Sequence, residues 1–349
     1  MTSPRYPIFI LGEAWGADEA AIGLPFVGAS GRELNRMLEE AEIDRASCYV
    51  SNVFNLQPQP TNDIKNLCTD RKHSSVPMPE LSKGQYLQDQ YWPEVQRLWR
   101  ELDEVRPNLI IALGNTALWA TVGTYGMRKL RGTITASTYG PKGIKILPTY
   151  HPAAVLRDWS MRSVVVADLM KAKRQSTFPE VRRPKREIWI EPSLNHIELF
   201  YRSYVLKTCK VLSADIETAG ATQITCVGFA PTRDRALVIP FVDNRKPDRS
   251  YWPTPELERQ AWQWVARFLS HIERPEIEVL GQNTLYDFNW LWTMLGITPK
   301  NYSRDTMLKH HAINPELEKG LGFLGSIYTD EPAWKTMRGK GLFTIKRGE

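Results

Sequence analysis

Residues 8–38 run Ile8-Phe-Ile-Leu-Gly-Glu-Ala-Trp-Gly16, then through Pro25-Phe-Val-Gly-Ala-Ser-Gly31 to Leu34, Met37 and Leu38. Ile8 to Leu11 is a short apolar run, which predicts a buried strand. Gly12, Gly16, Gly23, Gly28 and Gly31 crowd the loop that follows. Glycine at that density permits positive φ and close backbone approach to a ligand. Ser30, with Glu33 three residues on, has the spacing of a capping box. Leu34, Met37 and Leu38 continue at helical spacing. A strand therefore enters a glycine-rich loop, and the loop opens a helix. In an open α/β sheet, ligands bind at the carboxyl ends of such strands. The loop is longer than P-loop or dinucleotide spacing and carries neither fingerprint. On spacing alone, an ordinary βα connection and a ligand site both remain open.

Three more strands follow in the first half. Cys48-Tyr-Val-Ser-Asn-Val-Phe54 ends near Asn52 in the abrupt loop Gln57-Pro-Gln-Pro-Thr-Asn62. Asn52 reads either as a turn residue or as an amide suited to a base edge. Residues 69–90, polar and interrupted by Pro77 and Pro79, read as a surface excursion. Trp92 to Val105 is helical. Leu109-Ile-Ile-Ala-Leu113 is continuously apolar, as a parallel strand buried on both faces should be. Gly114 opens another helix. Ile144 to Tyr150 is a fourth strand that delivers His151 and Pro152 at its end, and a further helix finishes over 169–174. Asn52, His151 and the glycine loop should meet at one rim, which favours a site over isolated structural residues.

A length of 349 residues predicts two domains. The net charge of +6 and pI near 9.0 suit nucleic-acid contact, or merely a solvated basic face. The four cysteines, 48, 68, 209 and 226, form no close pair, which argues against a cysteine zinc site or a redox C-x-x-C motif. Pro4 and Pro7 break a polar start unlike a signal peptide, and no apolar run reaches membrane-spanning length. A cytoplasmic protein with no membrane partner is expected.

The constellation Gly12-Glu13-Ala14-Trp15-Gly16, Pro25-Phe26-Val27-Gly28, Ser51-Asn52-Val53, Leu113-Gly114 and His151-Pro152 with Arg157 resembles the uracil-DNA glycosylase superfamily, most of all its family 4 type. The resemblance covers about residues 8–174. It implies a central parallel sheet flanked by helices. It also implies that Phe26 stacks on a flipped uracil, that Asn52 reads its Watson–Crick edge, and that His151 stabilises charge developing on the uracil O2. Glu13 would stand where the family positions or activates water. Gly28, Ser30 and Arg157 are expected to contact DNA. Base flipping is the physical requirement, since the glycosidic carbon is inaccessible inside a duplex. The chain departs from the pattern twice. It lacks the N-terminal cysteine pair, and Leu56 stands at a cluster-ligand position, so no iron–sulfur cluster is expected. Trp15 replaces the family's proline beside the base pocket, where an indole would narrow or block it. A similar cluster-free form accompanies phage DNA polymerases.

Lys171, Lys173, Arg174, Arg182, Arg183, Lys185 and Arg186, with Pro179 and Pro184, mark a basic segment at the domain boundary. It reads as a solvated linker over 179–190, or as that linker with phosphate contacts added.

In the second half, a helix over 193–204 precedes Val211-Leu-Ser-Ala-Asp-Ile-Glu217. Asp215 and Glu217 lie at i and i+2, on one face of a strand, where their repulsion invites a divalent cation. Thr225–Ala230 and Ala236–Pro240 continue as an antiparallel meander. Trp262 to Phe268 is helical, and Glu278 to Asn283 is a strand leading into a helix that carries Asp287 early. Asp287 is a cap by itself, and a candidate third ligand beside the upstream pair. Asp215-Ile-Glu217-Thr and Asn283-Thr-Leu-Tyr286-Asp287, followed by Arg304-Asp305-Thr, resemble the DnaQ-like 3′–5′ exonucleases attached to family A DNA polymerases. This resemblance covers about 190–335. It implies a ribonuclease H-like fold and hydrolysis assisted by two Mg²⁺ or Mn²⁺ ions, with Asp215, Glu217 and Asp287 as ligands. The family's third motif is missing, because Tyr328 and Asp330 have the wrong spacing. His310 and His311 read as surface or core residues.

The expected whole is an α/β protein with a parallel-sheet glycosylase-like domain (1–178) followed by a ribonuclease H-like exonuclease domain (191–349). It would excise uracil or a related pyrimidine from DNA beside a metal-dependent nuclease module, with DNA and a separate DNA polymerase as partners. The competing expectation is a non-catalytic DNA-binding accessory, or the N-terminal portion of a phage-type polymerase.

Overall fold

The computed structural model describes residues 5–220, 222–270 and 273–331. The patternless basic tail from Thr336 lies outside them. The chain forms two compact units, Met1–Arg182 together with Gly322–Glu349, and Arg183–Leu321. The described residues 322–331 therefore group with the first unit, whereas the sequence reading carries the second domain to 349.

The first unit holds a five-stranded sheet in the order Cys48–Phe54, Ile8–Ala14, Leu109–Leu113, Lys145–Thr149, Thr135–Ala136. The first four strands are mutually parallel, and the short last one is antiparallel. Alternation sends successive side chains to opposite faces. Ile8, Ile10, Leu109, Ile111 and Leu147 enter one apolar layer with the helices Ala29–Glu40 and Met161–Gln175. Phe9, Leu11, Ile110, Ala112 and Ile146 enter the other, with Trp92–Val105 and Asn115–Val122. Both faces are covered, which is why these strands read as unbroken apolar runs.

Three local expectations are corrected. The helix Ala29–Glu40 starts on Gly28 as N-cap, so Ser30 lies inside the first turn and caps nothing. Glu33 is buried and bound to Arg162 at 2.9 Å, which draws its carboxylate away from the helix start. The excursion at 69–90 is not a loose surface loop, since Val76, Met78, Leu81 and Leu87 are buried in the core. Lys171, counted with the solvated basic run, is buried in the helix Met161–Gln175.

The second unit holds a six-stranded mixed sheet in the order Tyr302–Asp305, Glu278–Gly281, Val211–Ala219, Gln223–Ala230, Arg235–Pro240, Glu187–Trp189. Val211–Ala219, Gln223–Ala230 and Arg235–Pro240 form the antiparallel meander read from the sequence. The remaining neighbours add in parallel. The last strand, Glu187–Trp189, lies within the segment read as linker. Both units are of the mixed α/β class.

Candidate active site

Parallel pairing brings the carboxyl ends of four strands to one rim of the first sheet. Gly12 pairs with Asn52, and Leu113 with Thr149. A cavity of about 850 Å³ opens there, lined among others by Glu13, Phe26, Gly28, Ser30, Asn52, His151 and Arg157. Every site residue read from the first half lines it except Trp15. The Trp15 backbone N–H donates to the Leu56 carbonyl at 3.1 Å. Its indole Nε1 is buried without a hydrogen-bond partner among the described residues.

Close packing at the cavity floor depends on one missing side chain. A Cβ on Gly12 would stand 2.2 Å from Asn52 Oδ1 and 2.5 Å from Phe26 Cζ. Glycine therefore lets the amide and the ring sit over the strand. Phe26 holds a left-handed φ of 56°, a conformation that disfavours a bulky residue and persists where the surroundings impose it. Arg45 Nη2 donates to the Pro25 carbonyl at 3.1 Å on the back of that turn. The Phe26 ring faces His151, with centroids 5.7 Å apart and planes 29° from parallel.

His151 is the N-cap of the helix Pro152–Arg157, and its Nδ1 accepts from the Ala153 N–H at 3.2 Å. An accepting Nδ1 fixes the neutral tautomer with its proton on Nε2. Loss of solvation, reinforced by the Arg157 charge, pushes the His151 pKa down to about 4. At neutral pH the ring is therefore an uncharged donor.

Glu13 accepts a hydrogen bond from Thr116 Oγ1, on the helix Asn115–Val122. Burial raises its pKa, the Thr116 hydroxyl lowers it, Asp63 raises it and Arg157 lowers it. The net effect is upward, with burial the largest cause.

Three residues that the sequence reading missed build the frame. Glu19 Oε1 accepts from the backbone N–H of Val27 at 3.0 Å and of Gly28 at 2.9 Å, and Oε2 accepts from Gly16 at 3.1 Å. One carboxylate thereby closes the glycine loop on itself. Arg97 Nη2 donates to the Asn52 carbonyl at 2.9 Å and to Val53 at 3.2 Å, with Glu94 and Glu101 holding the guanidinium. Thr116 is the third. Arg128, from the short helix Met127–Leu130, adds a second cation to the cavity wall.

The sequence model of the uracil DNA glycosylase superfamily matches residues 1–176. The chain belongs to that superfamily. Among curated relatives, the type-4 uracil-DNA glycosylase of Thermotoga maritima is 32% identical over 170 residues, covering 48% of this chain and 76% of the relative. That of Archaeoglobus fulgidus is 30% identical over 183 residues, covering 49% and 80%. A DNA polymerase of Bacillus phage SP01 is 22% identical over 240 residues, covering 64% of this chain and 26% of the polymerase. Among solved structures, the Trypanosoma brucei RNase D:GMP complex is 19% identical with a TM-score of 0.30, covering 40% of this chain and 41% of that chain. Brucella melitensis NrnC with bound Mg²⁺ is 16% identical with a TM-score of 0.28, covering 42% and 61%. The chain thus spans less than half of that RNase D and about a quarter of the phage polymerase.

The glycosylase unit does not offer the donors of a four-thiolate cluster. Its cysteines are Cys48 and Cys68. Burial pushes the thiols of both up to about 11. Leu56, at the cluster-ligand position, packs against the apolar core.

In the second unit, Asp215 and Glu217 point to the exposed face of Val211–Ala219 while Ala214 and Ile216 are buried. Asp287, on the helix Thr284–Leu295, accepts from the Ile216 N–H at 3.0 Å. Burial, with the charges of Asp215 and Asp305, pushes its pKa up to about 6. Asp305 accepts from the N–H groups of Asn283 at 3.1 Å and Thr284 at 3.0 Å, fixing the start of that helix. Among the described residues, no three His, Cys, Asp or Glu side chains are gathered closely enough to hold a metal ion as they stand. The oxygen donors at 215, 217 and 287 nonetheless suit a hard divalent cation. His310 is buried, and His311 lies on the exposed side of the helix Thr306–Ile313.

Proposed function

We propose that the first unit hydrolyses the glycosidic bond of uracil in DNA. The observation carrying this reading is the convergence of Glu13, Phe26, Asn52 and His151, from four separate segments, on one cavity. A flipped base lies against the Phe26 ring, which supplies stacking in place of the lost neighbours. The Asn52 carboxamide, held by Arg97 through its backbone, pairs with N3–H and O4 of the base. A cytosine presents the opposite donor–acceptor pattern there. As the C1′–N1 bond breaks, negative charge moves onto the base, and the Nε2–H of neutral His151 donates to O2. A pre-oriented donor in a water-poor site stabilises that charge without reorganisation. Glu13, as the carboxylate that Thr116 supports, orients a water whose oxygen bonds to C1′. The departing base takes up a proton, giving free uracil and an abasic sugar. Gly28, Ser30 and Arg157 on the rim take the flanking phosphates.

The Trp15 indole is outside the cavity lining, which favours catalysis over a blocked, purely DNA-holding pocket. The test is release of free uracil from a uracil-containing oligonucleotide, with a thymine control. Intact protein that binds DNA yet releases no uracil would leave only the accessory reading.

The shared face of Asp215 and Glu217 supports a second activity, 3′–5′ trimming of DNA by the second unit. Asp215, Glu217 and Asp287 would hold Mg²⁺ or Mn²⁺, which supplies Lewis-acid activation of water and phosphate. Mg²⁺-dependent shortening that vanishes in Asp215→Ala supports it, and shortening unchanged in that variant rules it out. A separate DNA polymerase is the partner such a pair of activities would serve.

A further inference from the structure

Charged side chains that the pocket does not use gather in one place within the first unit. Asp168, fully buried, accepts from Arg131 Nη1 at 3.2 Å and from Thr149 Oγ1 at 2.6 Å. Beside it Lys171, only 1% exposed, donates to the carbonyls of Gly132 and Thr329, each at 2.7 Å, and of Ser326. Ser326 and Thr329 belong to the segment that rejoins the first unit at Gly322, after the chain has built the second. Arg131 Nη2 also donates to Ser326 Oγ, and the Phe323 ring lies 5.0 Å from the guanidinium. The helix Leu321–Tyr328 thus ends on a buried ammonium, the polarity that a helix C-terminus favours.

The position of this socket matters. Thr149 immediately precedes Tyr150 and His151 in the chain, and Arg131 directly follows the helix Met127–Leu130, whose Met127 and Arg128 line the cavity. Without the returning segment, Lys171 keeps one of its three carbonyls and Arg131 loses a hydroxyl and an aromatic cover. Buried cations with unmet donors are costly. The socket would take in water and release the strand end that carries His151.

We propose that residues 322–329 are a positioning element of the glycosylase site. They clamp Arg131 and, through Asp168 and Thr149, fix the His151 strand end, so that uracil excision depends on a segment placed after the second unit in the sequence. The activity arm of this inference rests on the glycosylase reading, and the structural arm does not.

The test compares full-length wild type with Phe323→Ala/Ser326→Ala. Hydrogen exchange is followed in segments 127–132 and 147–153, alongside uracil-release kinetics. Faster exchange in both segments is expected, with kcat lowered by about fivefold and KM for DNA unchanged. Ser326→Thr, which keeps the hydroxyl, should restore both when paired with native Phe323. Should the double variant fail to fold, Ser326→Ala alone reads the same two segments with a smaller change. Wild-type exchange in both segments overturns the proposal, and so does an effect confined to KM. If wild type releases no uracil, the glycosylase reading fails by itself, and the exchange comparison still decides the clamp.

Discussion

Glu19 is the side chain on which the glycine loop closes, and removing it measures how much the cavity depends on that closure. Its carboxylate accepts from Gly16, Val27 and Gly28. The bond to Gly28 is buried, and the other two reach partly solvated backbone. Hydrogen bonds to a charged group contribute roughly 1.5–3 kcal/mol each, the upper part where the orphaned donor stays buried. In Glu19→Ala, Gly28 loses its partner in full, about 2 kcal/mol, while water entering from the cavity replaces most of the other two, leaving about 0.5 kcal/mol each. The expected loss is about 3 kcal/mol, or roughly 6–12 °C in the unfolding midpoint of a unit this size. Glu19→Gln is the sharper comparison. One amide oxygen can still serve Val27 and Gly28, but the amide nitrogen then meets the Gly16 N–H, donor against donor. That variant should lose about 1 kcal/mol. Urea unfolding monitored by tryptophan fluorescence gives both values, and uracil release should fall more in Ala than in Gln. A Glu19→Ala protein within about 0.5 kcal/mol of wild type, the range of an ordinary surface change, would refute the view that this carboxylate holds the loop.

Gly12→Ala places a methyl where Asn52 Oδ1 and the Phe26 ring now lie; it should abolish uracil release while costing about 1–3 kcal/mol of stability, a separation read by activity and thermal unfolding on one preparation. Thr116→Val removes the hydroxyl that lowers the Glu13 pKa, so the acidic limb of the pH–rate profile should move to higher pH. The His151 pKa, down from 6.5 to about 4 in the folded chain, means that the unfolded state binds the extra proton first on acidification. His151 therefore favours the folded state fully above its unfolded pKa, and stability falls as pH drops from about 6.5 to 4 by roughly 3 kcal/mol. His151→Gln should flatten that part of the stability–pH curve measured by urea titration.

Much of this architecture is legible in the sequence because strands buried on both faces must be continuously apolar, and Ile8–Leu11 and Leu109–Leu113 are. The rim residues Asn52 and His151 were legible for a related reason: a polar side chain at the end of such a run has few places to go except the strand-end cleft. Asp215 and Glu217 followed from strand periodicity alone. What stayed hidden acts across the fold. Thr116 meets Glu13, and Arg97 meets Asn52, across long stretches of chain. Glu19 sits inside the stretch read as a glycine-rich loop, where the chain forms the short helix Ala17–Ile22, and only the folded loop brings Val27 and Gly28 to it. Lys171 failed for the opposite reason. Its basic neighbours suggested a solvated face, but the carbonyls that bury it belong to Gly132, Ser326 and Thr329. The capping-box spacing at Ser30 was real, yet Arg162 claims the Glu33 carboxylate.

These hidden contacts also explain how the opening stretch can tolerate so many glycines. Each glycine raises the conformational freedom that folding must remove, so a loop this rich should be soft. Instead its two ends are joined through one carboxylate, Phe26 is held in a left-handed turn backed by Arg45, and the strand beside it is gripped by Arg97. The flexibility is local and the restraints are distant. A pocket built that way lets Asn52 and Phe26 approach the backbone at Gly12 more closely than any side chain would permit. It also keeps them fixed, as the proposed reading of a base edge requires.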